Sequence, residues 1–226
     1  MTDKTETIKA VFYDLGADLC GIASVDRFDD APEGFHPCDL YPQCKSVVVF
    51  AKKFPNGLFD VSPRIMYAKA TEINLFETDR IAYLGALGIE SLGFTAVPLP
   101  SDNPYEYWDE ERREGRGILS MRHAAMLAGL GNMGKNTLVI NEKYGNRIAF
   151  GAVLTDALVP SDPLSKRLCP ENCRKCIESC PVGALNGITV DQKKCREYTH
   201  GTNARGFSVT QCNTCRAVCP MGKGCM

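Results

Sequence analysis

The sequence is short of several things, and each shortage removes a class of function. Lysine and arginine number 26 against 27 aspartates and glutamates, a net charge of −1, so no surplus of positive charge is available to neutralise a nucleic-acid backbone or an anionic membrane. Long apolar runs are missing. The longest strongly apolar stretch, Val47 to Ala51, falls far below the roughly 20 residues that a membrane-spanning helix needs. The polar opening from Met1 to Lys9 has no apolar centre of the kind a secretion signal carries. These lacks predict a soluble, cytoplasmic protein that binds neither DNA nor a membrane. Histidine is scarce as well: only His200, of 3 in the chain, lies near the cysteine-rich stretch, which counts against zinc held by mixed cysteine and histidine ligands.

Cysteine is abundant. Eight of the 12 cysteines fall in two runs: Cys169, Cys173, Cys176 and Cys180 followed by Pro181, and Cys195, Cys212, Cys215 and Cys219 followed by Pro220. Two cysteines separated by two residues can turn around one edge of an iron-sulfur cubane and leave nearby backbone N–H groups facing its sulfides. Bacterial two-cluster ferredoxins carry a C-x2-C-x2-C-x3-C-P run whose fourth cysteine serves the other cluster. Here Cys173-x2-Cys176-x3-Cys180-Pro181 and Cys212-x2-Cys215-x3-Cys219-Pro220 repeat its core spacing. The proline has no N–H to offer and fixes φ where the chain leaves the cluster. The spacing predicts two [4Fe-4S] clusters, one on Cys169, Cys173, Cys176 and Cys219, the other on Cys180, Cys195, Cys212 and Cys215. Zinc binding and disulfide pairing are the competing uses of such cysteines, and the doubled x3-C-P ending speaks for iron-sulfur. Cys169 departs from the pattern, with three residues between it and Cys173 instead of two. Cys20, Cys38 and Cys44 read as buried or incidental thiols, and Cys225 lies on a glycine-flanked tail outside both runs.

The runs occupy only the last quarter of the chain, so residues 1–160 are read as an α/β core and 161–226 as the cluster-bearing part. Ile8, Val11, Phe12 and Leu15 at i, i+3, i+4 and i+7 predict a first helix, stopped by Gly16, and Leu19 to Ser24 a short strand. Ser46 to Phe50, apolar and β-branched, predicts a strand covered on both faces. A long helix is expected over 65–92, with Met66, Ala70, Ile73, Phe76, Leu84 and Leu87 as its apolar stripe and Gly85 and Gly88 weakening its last turns. Thr95 to Leu99 reads as a strand. Ser101 to Arg116 mixes Tyr105, Tyr107 and Trp108 with many acidic side chains, which predicts a solvated loop or helix anchored by its aromatics. A helix over Ile118 to Ala128 follows, then two strands, Thr137 to Asn141 and Arg147 to Thr155, joined around residues 142–146.

Between that helix and those strands, Gly129, Gly131 and Gly134 satisfy G-x-G-x-x-G, and Gly129 through Lys135 satisfies G-x4-G-K. Context rejects both nucleotide motifs. The dinucleotide fingerprint needs a strand before and a helix after, the reverse of the order here, and the phosphate loop needs Ser or Thr where Asn136 stands. What remains is a glycine-rich turn whose backbone either approaches a flat or anionic group or reverses the chain.

The order Gly129-Leu130-Gly131, Gly134-Lys135, a pair of strands, Asp162-Pro163 and two cysteine runs with Cys195 between them resembles the epoxyqueuosine reductases and the corrinoid reductive dehalogenases. The likeness reaches upstream to Leu15-Gly16, Gly21-Ile22 and Val47-Val48-Val49. The resemblance implies an α+β fold: a nitroreductase-like α/β core holding base-off cobalamin, and a C-terminal two-cluster bacterial ferredoxin-like domain that feeds it electrons. It also implies that Arg122, Gly129, Gly131, Gly134 and Lys135 approach the cofactor, for which FMN or none at all are the alternatives. Ahead of the glycine turn the family places a proton-donating aspartate and a Glu-Arg pair. The matching positions here hold Gly115 and Met121-Arg122, so the arginine alone is kept, with Glu114 the neighbouring acid. The sequence runs seven residues past Cys219, without the C-terminal repeats by which the tRNA-modifying members hold their substrate. The expected function is an iron-sulfur reductase of this kind acting on a small molecule instead of tRNA and supplied by a redox partner protein. An electron carrier without a catalytic cofactor, and a partner that reduces the cobalamin of another protein, are the alternatives.

Overall fold

The apolar strand at Ser46–Lys53 organises the core, because it has a hydrogen-bonded neighbour on each side and packed helices on both faces. The computed structural model describes residues 4–62 and 64–225, so Met1 to Asp3 of the polar opening lie outside the described residues. The first part of the chain runs α1 (Lys4–Asp14), β1 (Leu19–Ser24), α2 (Pro37–Leu40), β2 (Ser46–Lys53), α3 (Ile65–Ser91), β3 (Ala96–Leu99), β4 (Tyr107–Asp109), β5 (Glu114–Arg116), α4 (Met121–Leu127), β6 (Asn132–Met133), β7 (Val139–Ile140) and β8 (Ile148–Thr155). Four strands form one sheet in the order β1-β2-β8-β3, each pair antiparallel. Alternation along β2 then divides its side chains. Val47, Val49 and Ala51 pack with Ala124, Ala125, Ala128 and Leu130 on one face, while Val48 and Phe50 pack with Ile8, Phe12, Ile81 and Ile89 on the other. The result is a mixed helix and strand core in which the strand is covered twice, as its composition predicts.

The apolar stripe expected on α3 faces outward. Ile73, Phe76, Tyr83 and Leu87 are exposed, and Met66 with them, whereas the face against the sheet is made of Ala68, Asn74, Thr78, Ile81, Ala82, Gly85, Ala86 and Ile89. Small side chains win there because the helix lies close to its neighbours. A Cβ on Gly85 would strike the ring of Phe12, and one on Gly88 would strike Val11, so the two glycines admit α1 and do not end the helix. Residues 101–116 form neither a helix nor a free loop: β4 and β5 pair as a hairpin. The strands at 139–140 and 148–155 do not pair with each other; β7 pairs with β6, and β8 joins the main sheet.

The cysteine-rich part contributes α5 (Lys175–Glu178), α6 (Gln192–Thr199), β9 (His200–Thr202), β10 (Ser208–Thr210) and α7 (Thr214–Ala217). The single turns α5 and α7 carry Cys176 and Cys215 and pack against each other. The junction at 160/161 is tied to the core. Asp162 exchanges hydrogen bonds with Ile22, donating from its backbone N at 2.8 Å and accepting at Oδ2 at 2.7 Å, and pairs with Lys9 at 2.5 Å. No helix among the described residues is long and apolar enough to cross a membrane.

Candidate functional site

Four of the cysteines enclose a space. Cys169, Cys173, Cys176 and Cys219 line one small cavity, together with Lys135 and Asn136. The three-residue gap after Cys169 is taken up by a turn that the Cys173 N–H closes on the Pro170 carbonyl at 3.2 Å. The Cys219 thiol is raised above its ordinary pKa first by burial and then by the nearby Cys169, Cys176 and Cys173. Cys215 is pushed up to about 11 by burial, partly opposed by Arg216 and reinforced by Cys212 and Cys195. A second gathering thus forms around Cys215. Cys180 accepts a hydrogen bond on Sγ from the Ala184 N–H at 3.3 Å, the kind of contact that stabilises negative charge on sulfur. Among the described residues no three His, Cys, Asp or Glu side chains are gathered closely enough to hold one metal ion.

Lys135 belongs to this cysteine cavity and not to a pocket in the core. Its ammonium donates to the carbonyls of Pro170 at 3.3 Å, of Glu171, and of Cys173 at 3.0 Å, clamping the first cysteine loop. Hydrogen bonds from a charged donor contribute about 1.5–3 kcal/mol. Lys135→Met is therefore expected to lower the melting temperature, while Lys135→Arg recovers part of the loss. An unchanged melting temperature in the methionine variant would show that the clamp is idle.

The three glycines are also differently employed from what the sequence pattern implies. The space of a Cβ at Gly129 is taken by the Pro163 carbonyl, at Gly131 by the Ile140 carbonyl at 2.5 Å, and at Gly134 by the Ile140 side chain at 2.7 Å. Each lets the chain approach itself. Gly129 and Gly131 have φ of 74° and 157°, so the turn needs the first of them for its left-handed backbone. None of the three lines either cavity.

A second, wider and half-open cavity lies between the core and the cysteine-rich part, walled by Leu75, Ser101, Asp102, Arg122, Leu138, Val139, Asn146 and Arg216 among others. Of the cofactor residues expected from the sequence, Arg122 alone reaches it. Arg122 lies at the open side of this cavity, and desolvation followed by the neighbouring Arg216 cation lowers its pKa. Its Nη1 donates at 2.8 Å to the carbonyl of Thr137. Thr137 sits at φ 59°, a strained left-handed position for a β-branched residue.

The two cavities share a wall. Lys135 and Asn136 face the cysteine cavity while Leu138 and Val139 face the core cavity, and Asn136 Nδ2 donates to the Cys215 carbonyl at 3.1 Å. Arg216, adjacent to Cys215, lines the core cavity and donates from Nη1 to the carbonyl of Asn146 and to that of Ile148 at 3.4 Å.

At the position where the resemblance implies an aspartate, Gly115 is packed in. A Cβ there would lie 3.0 Å from the Tyr105 ring and 3.1 Å from Arg196 Nη2. The Arg196 guanidinium lies over the rings of both Tyr105 and Trp108, at 5.1 and 5.2 Å, so α6 holds the hairpin through the aromatics. Glu114 pairs with Arg116 at 3.0 Å and is not on the cavity wall. The acid that is there, Asp102, accepts a hydrogen bond from the Tyr105 hydroxyl at 2.6 Å. Sequence reasoning missed Asp102, Asn146 and Arg216. Only Arg216 left a signal, as a cation inside the second cysteine run.

No family model matches the sequence. The fold nevertheless has solved counterparts among epoxyqueuosine reductases and a reductive dehalogenase. The structure superposes on an epoxyqueuosine reductase from Streptococcus thermophilus with a TM-score of 0.69 at 20% identity, covering 99% of this chain and 67% of that one. It superposes on the catabolic reductive dehalogenase NpRdhA with a TM-score of 0.66 at 22% identity, covering 95% of this chain and 31% of that one. One matching dehalogenase structure is described in terms of B12-dependent dehalogenation, and one reductase structure holds a tRNA-Tyr stem loop. In sequence the particular likeness is to epoxyqueuosine reductase: 32% identity with that of Listeria monocytogenes over 97% of this chain and 65% of the relative. With that of Bacillus cereus the identity is 28%, over 93% and 62%. The resemblance read from the glycine turn and cysteine runs holds over most of the chain, which spans somewhat under two thirds of these relatives' length.

Proposed function

We propose that the chain is an iron-sulfur reductase in which two [4Fe-4S] clusters, in a ferredoxin-like part over 161–226, deliver electrons singly to a corrinoid or flavin in the core cavity of a nitroreductase-like part over 1–160. The observation that carries this reading is the shared wall, residues 135–139 with Cys215-Arg216, between a cavity lined by four cysteines and a larger one of mixed apolar and polar lining. Four thiols placed around a volume suit a cubane better than zinc, whose sulfurs, bonded at about 2.3 Å, must meet within roughly 4 Å of one another. The ligand sets are Cys169, Cys173, Cys176 and Cys219, and Cys180, Cys195, Cys212 and Cys215. Buried thiols such as Cys215 release their protons on binding iron. A corrinoid or flavin bound in the core would supply the two-electron reduction. The chain's own residues orient and enclose it: Arg122, fixed by Thr137, presents a cation, and Asp102, hydrogen-bonded to Tyr105, is the carboxylate on the wall.

The substrate we assign is a small molecule and not tRNA, because Tyr105 and Arg196 fill the space around Gly115 and the balanced charge offers no broad phosphate-binding face. A cytoplasmic redox partner completes the reading. Anaerobically purified, cluster-loaded protein should bind cob(II)alamin or FMN, seen as a change in the corrin or flavin absorption, and should ignore ATP and NAD. Binding of neither would defeat the reductase reading in favour of an electron carrier.

A further inference from the structure

Asn146 is 1% exposed, and neither Oδ1 nor Nδ2 of its amide has a hydrogen-bond partner, although it lines the core cavity. A buried amide left unpaired is costly and calls for a ligand group or a bound water. Beside it stand Arg122 and Arg216. Neither forms an ion pair with a carboxylate among the described residues, and each commits Nη1 to backbone carbonyls. Two guanidiniums facing one cavity raise each other's energy unless an anion lies between them. Ser101 Oγ, on the same wall, is buried and unpartnered too. The one carboxylate of the wall, Asp102, is engaged by the Tyr105 hydroxyl.

We propose that this corner of the core cavity, Arg122, Arg216 and Asn146, is a phosphate site that anchors the ligand by a phosphate ester. The inference rests on reading the cavity as a cofactor site, and goes beyond it by naming the group that is recognised. Arginine forks match phosphate oxygens two at a time, and the Asn146 amide supplies a donor. Beyond these three residues the cavity continues along the apolar side chains of Leu75, Leu138, Val139 and Phe150, so the phosphate is the handle of a larger ligand. Two sources share this chemistry: the phosphate of FMN and the phosphodiester in the nucleotide loop of a cobalamin.

Each source has a partner that lacks the phosphate, and the comparison needs no variant. Anaerobic, cluster-loaded protein is titrated with FMN and riboflavin, with cobalamin and cobinamide, and with inorganic phosphate by calorimetry. In the pair that binds, the phosphate-bearing member should bind roughly tenfold tighter or more, the margin a charge-assisted hydrogen bond provides, and inorganic phosphate should compete with it. Arg122→Gln should close the gap and Arg122→Lys partly reopen it. Equal binding within each pair, or a gap that Arg122→Gln leaves unchanged, overturns the phosphate site while the cofactor reading stands. A shift of a cluster's midpoint potential in Arg122→Gln with no change in the gap also overturns it, since the arginines would then serve the charge of the cluster. If none of the four ligands binds but inorganic phosphate does so in an Arg122-dependent way, the cofactor reading falls and the phosphate site remains.

Discussion

Cys176→Ser and Cys215→Ser will each lose half or more of the iron, from about eight atoms per chain to about four or fewer. The reason is topological. In the proposed arrangement each run lends its last cysteine to the other cluster, Cys219 joining the first set and Cys180 the second, so a defect at one centre loosens a loop that also serves the other. Packing adds to this, because α5 and α7, which carry Cys176 and Cys215, rest on each other. Iron and sulfide analysis with the visible charge-transfer band reads the effect. Cys20→Ser and Cys225→Ser should retain the full complement. Cys20 is buried in the core among Ile8, Phe12 and Ile22, and the Cys225 backbone N–H is held on the Glu142 carbonyl at 2.7 Å with its residue exposed. A wild-type protein that binds zinc at stoichiometric thiolate sites and shows no charge-transfer band would remove the assignment altogether.

Gly145→Ala should be the most damaging single methyl in the chain. Gly145 has φ 58°, and a Cβ there would overlap the Met221 carbonyl and the backbone of Gly222. The substitution combines a left-handed backbone, unfavourable by about 1–2 kcal/mol for an L-residue, with displacement of the segment that follows Cys219. A total near 3 kcal/mol corresponds to a drop of roughly 6–12 °C in melting temperature for a chain of this size, with iron lost from the centre proposed for Cys219. Gly183 has the same φ of 58° but nothing within 4 Å of its Cβ position. Gly183→Ala should therefore show the backbone penalty alone, and the difference between the two variants isolates the overlap. Equal melting temperatures would mean that the tail yields without cost.

Much of the core was legible because its signal is local. The helix at 4–14 follows from Ile8, Phe12 and their spacing, and the strand at 46–53 from a run of β-branched residues that needs cover on both faces. The long helix α3 was legible in extent but not in orientation. Its apolar periodicity tracks Ile73, Phe76 and Leu87, which are exposed, because the close approach of α1 and the sheet selects alanine and glycine on the inner face. Hydropathy ranks those small residues low, so the pattern pointed to the wrong side.

The sequence by itself determined the spacing of the two cysteine runs and so the turn that gathers Cys169, Cys173 and Cys176, while the fold brings Cys219 to them. Loops of two or three residues leave the backbone few ways to turn, and the proline fixes the exit. Only the tertiary structure decided what those loops meet. Lys135 lies 35 to 38 residues from the carbonyls it clamps, and Arg216 lies 70 from the Asn146 carbonyl it binds. The glycine turn answers to Pro163 and Ile140, and the larger cavity is assembled from α3, α4, β8 and α7 among others. Separations of that length leave no trace in local spacing, since which side chains share a cavity is fixed by how the sheet and helices stack and not by their order along the chain.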